Sequence, residues 1–182
     1  MEKTASKAYF PNVKDGDTFE ISGIEFIKFP DMSGMTPVVT RNVLFRTRFG
    51  NSNNLAESEV LQKLENEFLP GIADVIGDEN IETIKTDLTT LDGLKPYGVM
   101  ESRVSLPTLD FYRDNVGIFD KHEVGVWWWL ATPESAPTHS NPDWVVCVSP
   151  SGLIYVDCFN CDISGVRPFL LFKSSIFESS EE

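Results

Sequence analysis

The sequence predicts an α+β fold, a single compact domain with mixed or antiparallel sheets and two or three helices. Three observations predict it: apolar residues alternate with polar ones in the first third of the chain, recur at helical spacing in the middle, and return as short aromatic and β-branched runs at the end. The 182 residues are 41% hydrophobic and 12% aromatic, enough for one core of ordinary size, and no Gly/Ser linker or internal repeat divides them. We place the domain at residues 1–177 and read residues 178–182 as an acidic, mobile tail.

The elements follow in order. Thr18-Phe19-Glu20-Ile21 and Ile24 to Phe29 alternate around Ser22-Gly23, the pattern of a hairpin. Val38-Val39-Thr40 and Val43-Leu44-Phe45 add β-rich runs before the loop from Gly50 to Asn54. Asn53 or Asn54 then caps a helix in which Val60, Leu61, Leu64 and Phe68 recur at helical spacing until Pro70-Gly71 stops it. A shorter helical turn is expected through Ile72 to Ile76. Ser105-Leu106-Pro107 has the cap and early proline of a third helix reaching Tyr112, and Asp92-Gly93 and Lys95 to Gly98 are turn chemistry. Val126 to Leu130 is a buried strand, ended by Ala131-Thr132-Pro133, whose tryptophans alternate across it with at least one side in the core. Trp144 to Ser149 and Leu153 to Cys158 form a hairpin around Pro150-Ser151-Gly152. Val166 to Phe172 closes the sheet, and Pro168 within it demands an edge or a bulge.

Charge narrows the function classes. With 15 Lys+Arg against 28 Asp+Glu the net charge is −13, which repels phosphate backbones and excludes direct, non-specific nucleic-acid binding. No apolar run approaches the length that spans a bilayer, and the N-terminus lacks the apolar centre of a signal peptide, so a cytoplasmic location without membrane contact is expected. Between Glu57 and Glu82 eight acids stand against the single base Lys63. A solubilising helix face accounts for such a run; a surface that docks on a basic protein also does, with Glu57, Glu59, Glu65, Glu67, Asp78 and Glu79 as its contacts.

Three cysteines cannot all pair within one chain, and without an export signal they are expected as free thiols or metal ligands. Cys158-Phe159-Asn160-Cys161 has the two-residue spacing that lets both thiolates reach one tetrahedral ion. A structural zinc on Cys158, Cys161 and His139, or with Cys147 as third ligand and Asp157 or Asp162 as fourth, is the candidate cofactor site; Cys147 on its strand also reads as a small core residue.

Six separated blocks carry a resemblance. They are Gly16 to Phe19 with Gly23-Ile24-Glu25, Phe49-Gly50 with Asn53 to Ser58, Asp87-Leu88-Thr89 with Asp92-Gly93-Leu94 and Tyr97-Gly98, Val104-Ser105-Leu106 with Thr108-Leu109, Trp128 to Pro133, and Gly165 to Phe169 with Ser175-Ile176-Phe177. In this order they resemble an uncharacterised domain family common in Firmicutes, their prophages and other mobile elements. The tryptophan strand followed by Gly-Val-Arg-Pro is also similar to the ending of the C-type-lectin-like fold of formylglycine-generating enzymes and retroelement variable proteins. The resemblance implies a lectin-like fold in a phage or prophage setting, with Thr132 to Asp143 and Phe159 to Ser164 as the exposed binding face. The copper-binding cysteine arrangement of the formylglycine-generating enzymes does not map onto Cys147, Cys158 and Cys161, and no Glu-Pro-Asn motif supports calcium-mediated sugar binding.

Catalytic chemistry has little to stand on. Only His122 and His139 are present, no serine sits in a Gly-x-Ser-x-Gly elbow, and the glycines form no phosphate-cradling loop. Arg167 is expected inside and paired with an acid, because a buried guanidinium without a partner is costly. The tryptophans are core residues or, alternatively, a sugar-stacking platform. The sequence therefore predicts a non-enzymatic binding protein encoded by a phage or prophage. Its most concrete function is an anti-CRISPR-type inhibitor whose acidic surface occupies a basic nucleic-acid-binding site on a host protein, such as a CRISPR-Cas effector nuclease, and blocks DNA loading. A receptor- or glycan-binding module of a virion or cell surface, using the Thr132 to Asp143 loop, is the alternative.

Overall fold

Two adjacent residues with positive φ, Ser22 (51°) and Gly23 (78°), turn β1 (Thr18–Ile21) into β2 (Ile24–Lys28). This two-residue geometry matches the twist of antiparallel strands, and the pairing runs from Thr18↔Ile27 to Ile21↔Ile24 as the alternation requires. The computed structural model describes residues 8–139 and 143–179. Then come β3 (Met35–Thr40), β4 (Phe45–Arg46), a 3-10 turn (Leu55–Glu57), α1 (Glu59–Lys63), a π turn (Leu64–Phe68) and α2 (Leu69–Ile76). After β5 (Ile84–Asp87), β6 (Val99–Ser102), α3 (Leu109–Asp114) and α4 (Val116–Phe119), the chain ends in β7 (Trp128–Pro133), β8 (Trp144–Val148), β9 (Ile154–Cys158), β10 (Gly165–Val166) and β11 (Phe169–Lys173).

These strands form three sheets in a mixed α+β domain. One sheet has the order β1-β2-β3-β11, the second β4-β10-β7-β8-β9, and β5 pairs with β6 alone. All pairings are antiparallel except β10 with β7. The run read as one closing strand is two strands in different sheets. Arg167 and Pro168 are the crossing point, which explains the proline: its missing N–H falls where the chain leaves one ladder and enters another. Gly165 is squeezed here, since a Cβ on it would lie 2.3 Å from Val43 Cγ1.

The central strands of both large sheets have core on each face, so these sheets feed two cores. Trp129, Ala131, Val145 and Cys147 pack with Phe26, Val38, Leu170 and Phe172 beneath the long helix. Trp128, Leu130, Val146 and Val148 pack with Ile27, Phe29 and Leu171 beneath α3 and α4. The alternating tryptophans of β7 therefore have core on each side, Trp129 in the first and Trp128 in the second.

The central helix departs from its sequence reading. Asn54 caps only the 3-10 turn, and Ser58 caps α1 through its hydroxyl, which accepts from Leu61 N–H at 3.0 Å. Pro70-Gly71 does not stop the helix. Leu69 N–H bonds the Leu64 carbonyl in a wide π turn, and Pro70 then falls in the first turn of α2, where a missing N–H is tolerated. The expected separate turn at Ile72 to Ile76 is the end of this continuous helix. The third helix starts later than read, with Thr108 and not Ser105 as its cap, and Ser105 instead pairs with Phe169. β7 continues through Pro133, and β5 and β6 form a further antiparallel hairpin beyond the elements the sequence predicts.

Candidate functional site

The acidic stretch lies along the outer face of the helix and the short turns at its two ends. Its inner face is fixed by Val60, Leu64, Ile72 and Ile76, all at 0–1% exposure, so the carboxylates stand on a rigid support. The structure divides the six nominated residues. Glu57, Glu65, Glu67 and Glu79 are exposed and make no ion pair among the described residues, and the exposed Asp74 joins them. Glu59 is held by Arg48, whose Nε donates to Oε2 at 2.9 Å; the hydrogen bond and charge of that guanidinium lower the Glu59 pKa and raise that of Arg48. Asp78 accepts from Arg103 Nη2 at 2.8 Å. Both arginines come from outside the acidic stretch, one ahead of it and one from the residues after β6, so neither pair has a spacing signal in the sequence.

The predicted metal ligands are rearranged. Cys158 and Cys161 are joined in a disulfide, which corrects the expectation of free thiols; their two-residue turn is tight enough to bring the Cα atoms to 5.5 Å. His139 is not beside them: its Nδ1 shares a 2.6 Å hydrogen bond with Asp92 Oδ2, and the Thr90 hydroxyl together with His139 lowers the Asp92 pKa. Cys147 is fully buried in the core, and burial pushes its thiol up to about 12, out of the range of a ligand or nucleophile. The residue that does approach the pair is Asp157, the last but one of β9. Its Oδ1 accepts from Cys158 N–H at 2.9 Å, while Oδ2 is buried with no hydrogen-bond partner among the described residues, and burial raises its pKa.

The loops expected to form a binding face are partly interior. Thr132, Ser135 and Ala136 are buried, and only Pro137, Thr138 and His139 of the described residues there are exposed; residues 140–142 lie outside the description. Asn53, read as a helix cap, is fully buried and ties both ends of this loop together. Its Nδ2 donates to the carbonyls of Ser135 (2.9 Å) and Trp144 (3.1 Å), and its Oδ1 accepts from Tyr97 O–H at 2.6 Å. In the other loop the Phe159 carbonyl accepts from Phe49 and Gly50, Ser164 is buried, and Ile163 is exposed.

Trp128 and Trp129 are buried, so neither serves as a stacking platform; Trp144 at 40% and Tyr155 at 49% exposure are the accessible large rings nearby. Arg167 is inside as expected, but no acid pairs with it among the described residues. Its guanidinium lies 4.5 Å from the Trp128 ring centre and 5.4 Å from that of Phe119, and Nε donates to the Thr40 carbonyl at 3.0 Å. Burial pulls its pKa down to about 9, which leaves it charged at neutral pH, and Nη2 has no hydrogen-bond partner among the described residues. A cleft of about 450 Å³ lies elsewhere, between the β5–β6 hairpin and α3, and is lined by none of the predicted site residues.

Fold and surface together define a mixed α+β domain in which no described helix is long and apolar enough to cross a membrane. No protein-family model, curated protein or solved structure matches the chain.

Proposed function

We propose that this chain is a non-enzymatic, phage- or prophage-encoded inhibitor with a C-type-lectin-like fold, whose acidic helix face binds the nucleic-acid groove of a basic host protein in the cytoplasm. The observation that carries this reading is a set of exposed carboxylates with no ion pair among the described residues: Glu65, Glu67 and Asp74 on a helix anchored in the core, and Glu57 and Glu79 in the short turns at its two ends. Carboxylates fixed in space meet Lys/Arg side chains that otherwise contact phosphates, and a rigid support removes the ordering entropy that a flexible acidic tail loses on binding. Glu59 and Asp78 take a smaller part, because each already has an arginine. A CRISPR-Cas effector nuclease offers a suitable groove, since its heteroduplex channel is read through backbone charge.

The test is a loading assay. An effector–guide complex is incubated with the chain and then with target DNA; DNA binding is expected to fall as the chain is added, and to return when Glu57, Glu65, Glu67 and Glu79 are all changed to Lys. Undiminished DNA binding across the basic effectors assayed overturns the reading.

A second reading rests on the exposed rings. Trp144, at the foot of the Thr132 to Asp143 loop, supports a receptor- or glycan-binding module, for which loss of glycan-array binding in Trp144→Ala is the expected outcome.

A further inference from the structure

The end of β9 brings three soft or anionic donors together. One ligand atom each from Asp157, Cys158 and Cys161 lies within 4.8 Å of the other two. The turn that carries them is pinned at several points: Cys161 N–H bonds the Cys158 carbonyl at 3.0 Å, Phe159 N–H bonds the Asp143 carbonyl at 2.8 Å, and Phe49 N–H bonds the Phe159 carbonyl at 2.7 Å. Asp157 is oriented by the Cys158 N–H on Oδ1, which leaves the buried Oδ2 as an acceptor with no donor among the described residues. A buried, unpartnered carboxylate oxygen is costly, and a cation relieves that cost directly.

We propose that reduction of the Cys158–Cys161 disulfide opens a site for a thiophilic divalent cation, held by the two thiolates and the Asp157 carboxylate. Two thiolates on one tetrahedral zinc, each about 2.3 Å from it, stand about 3.8 Å apart. With the Cα atoms 5.5 Å apart, side-chain rotation reaches that spacing with the backbone in place. The oxidised pair has no thiolate to offer, so the site is gated by redox state. A thiol reductant supplies two electrons and two protons, converting the disulfide to two thiols while becoming a disulfide itself; the cation then displaces the two thiol protons. His139 and Cys147 take no part, the first held on Asp92 and the second sealed in the core. The inference is independent of the acidic-face reading.

The experiment is zinc titration of the full chain against a chromophoric chelator, in an oxidised sample and in one reduced with dithiothreitol and freed of reductant without air. Uptake of about one zinc per reduced chain is expected, with almost none in the oxidised chain. Asp157→Asn keeps the disulfide, so its folding is verified in the oxidised state; after reduction its zinc affinity is expected to fall about tenfold or more. Cobalt in place of zinc should give a thiolate charge-transfer band that Cys161→Ser diminishes. Equal uptake by oxidised and reduced samples, no uptake by either, or an unchanged affinity in Asp157→Asn overturns the proposal.

Discussion

In the helix from Glu59 to Ile76, Val60, Leu64, Ile72 and Ile76 are sealed in the core while the intervening carboxylates face water. The β8–β9 edge is built differently: Ile154 and Tyr155 are 38% and 49% exposed, and among the described residues β9 is the last strand of its sheet, paired with β8. The helix shows solvent its charge and, apart from Val75 and the half-buried Leu69, hides its large apolar side chains, whereas the edge shows apolar ones. A charged face on a fixed support suits long-range, salt-sensitive attraction. An apolar edge suits short-range contact and strand addition.

The largest effect that bears on this contrast is on stability. Leu64→Ala should lose about 2–5 kcal/mol in denaturant unfolding, and Tyr155→Ala less than about 1 kcal/mol. Comparable losses would mean that the edge is as firmly built as the helix.

Thiol reactivity sharpens the picture of the edge. Cys147 lies one strand in from Cys158 and Cys161, yet a thiol raised from 9.0 to about 12 holds about 1,000-fold less thiolate at mild pH. Alkylation of the reduced, native chain should therefore label Cys158 and Cys161 quickly and Cys147 only after unfolding. Rapid labelling of all three would show that the hairpin opens.

The smallest effect concerns Glu59. Its folded pKa is lowered by Arg48, so the native state binds fewer protons there than the unfolded chain; the pair's contribution is complete above the ordinary value of 4.5 and fades as pH falls through the lower folded value. Glu59→Gln should flatten that part of the acid-unfolding curve and leave neutral stability almost unchanged, because the pair is exposed. A large loss at neutral pH would mean that this ion pair, and not the apolar stripe, anchors the start of the helix.

Much of the fold was legible in the sequence. The first hairpin and the β8–β9 hairpin were written in period-two alternation and turn residues, and the buried stripe of α1 in its spacing. What escaped was tertiary. Pro70 reads as a stop because a local rule cannot foresee the π turn ahead of it, and Arg167 was expected beside an acid because two aromatic faces converging from α4 and β7 leave no local trace. For the candidate site, the sequence located the acidic run but could not show that Arg48 and Arg103 reach back to Glu59 and Asp78. His139 was misplaced for the same reason, since its partner Asp92 lies 47 residues away in the chain.

The most direct measurement is the affinity of the chain for an effector–guide complex at two salt concentrations, with the wild-type sequence, the Glu57, Glu65, Glu67 and Glu79 to Lys variant, and a Trp144→Ala, Tyr155→Ala variant. Binding is expected to weaken steeply with salt, to be lost on charge reversal, and to be indifferent to the ring substitutions. Binding that ignores salt and charge reversal but disappears with Trp144 and Tyr155 would overturn the acidic-face reading and move the functional surface to the β8–β9 edge.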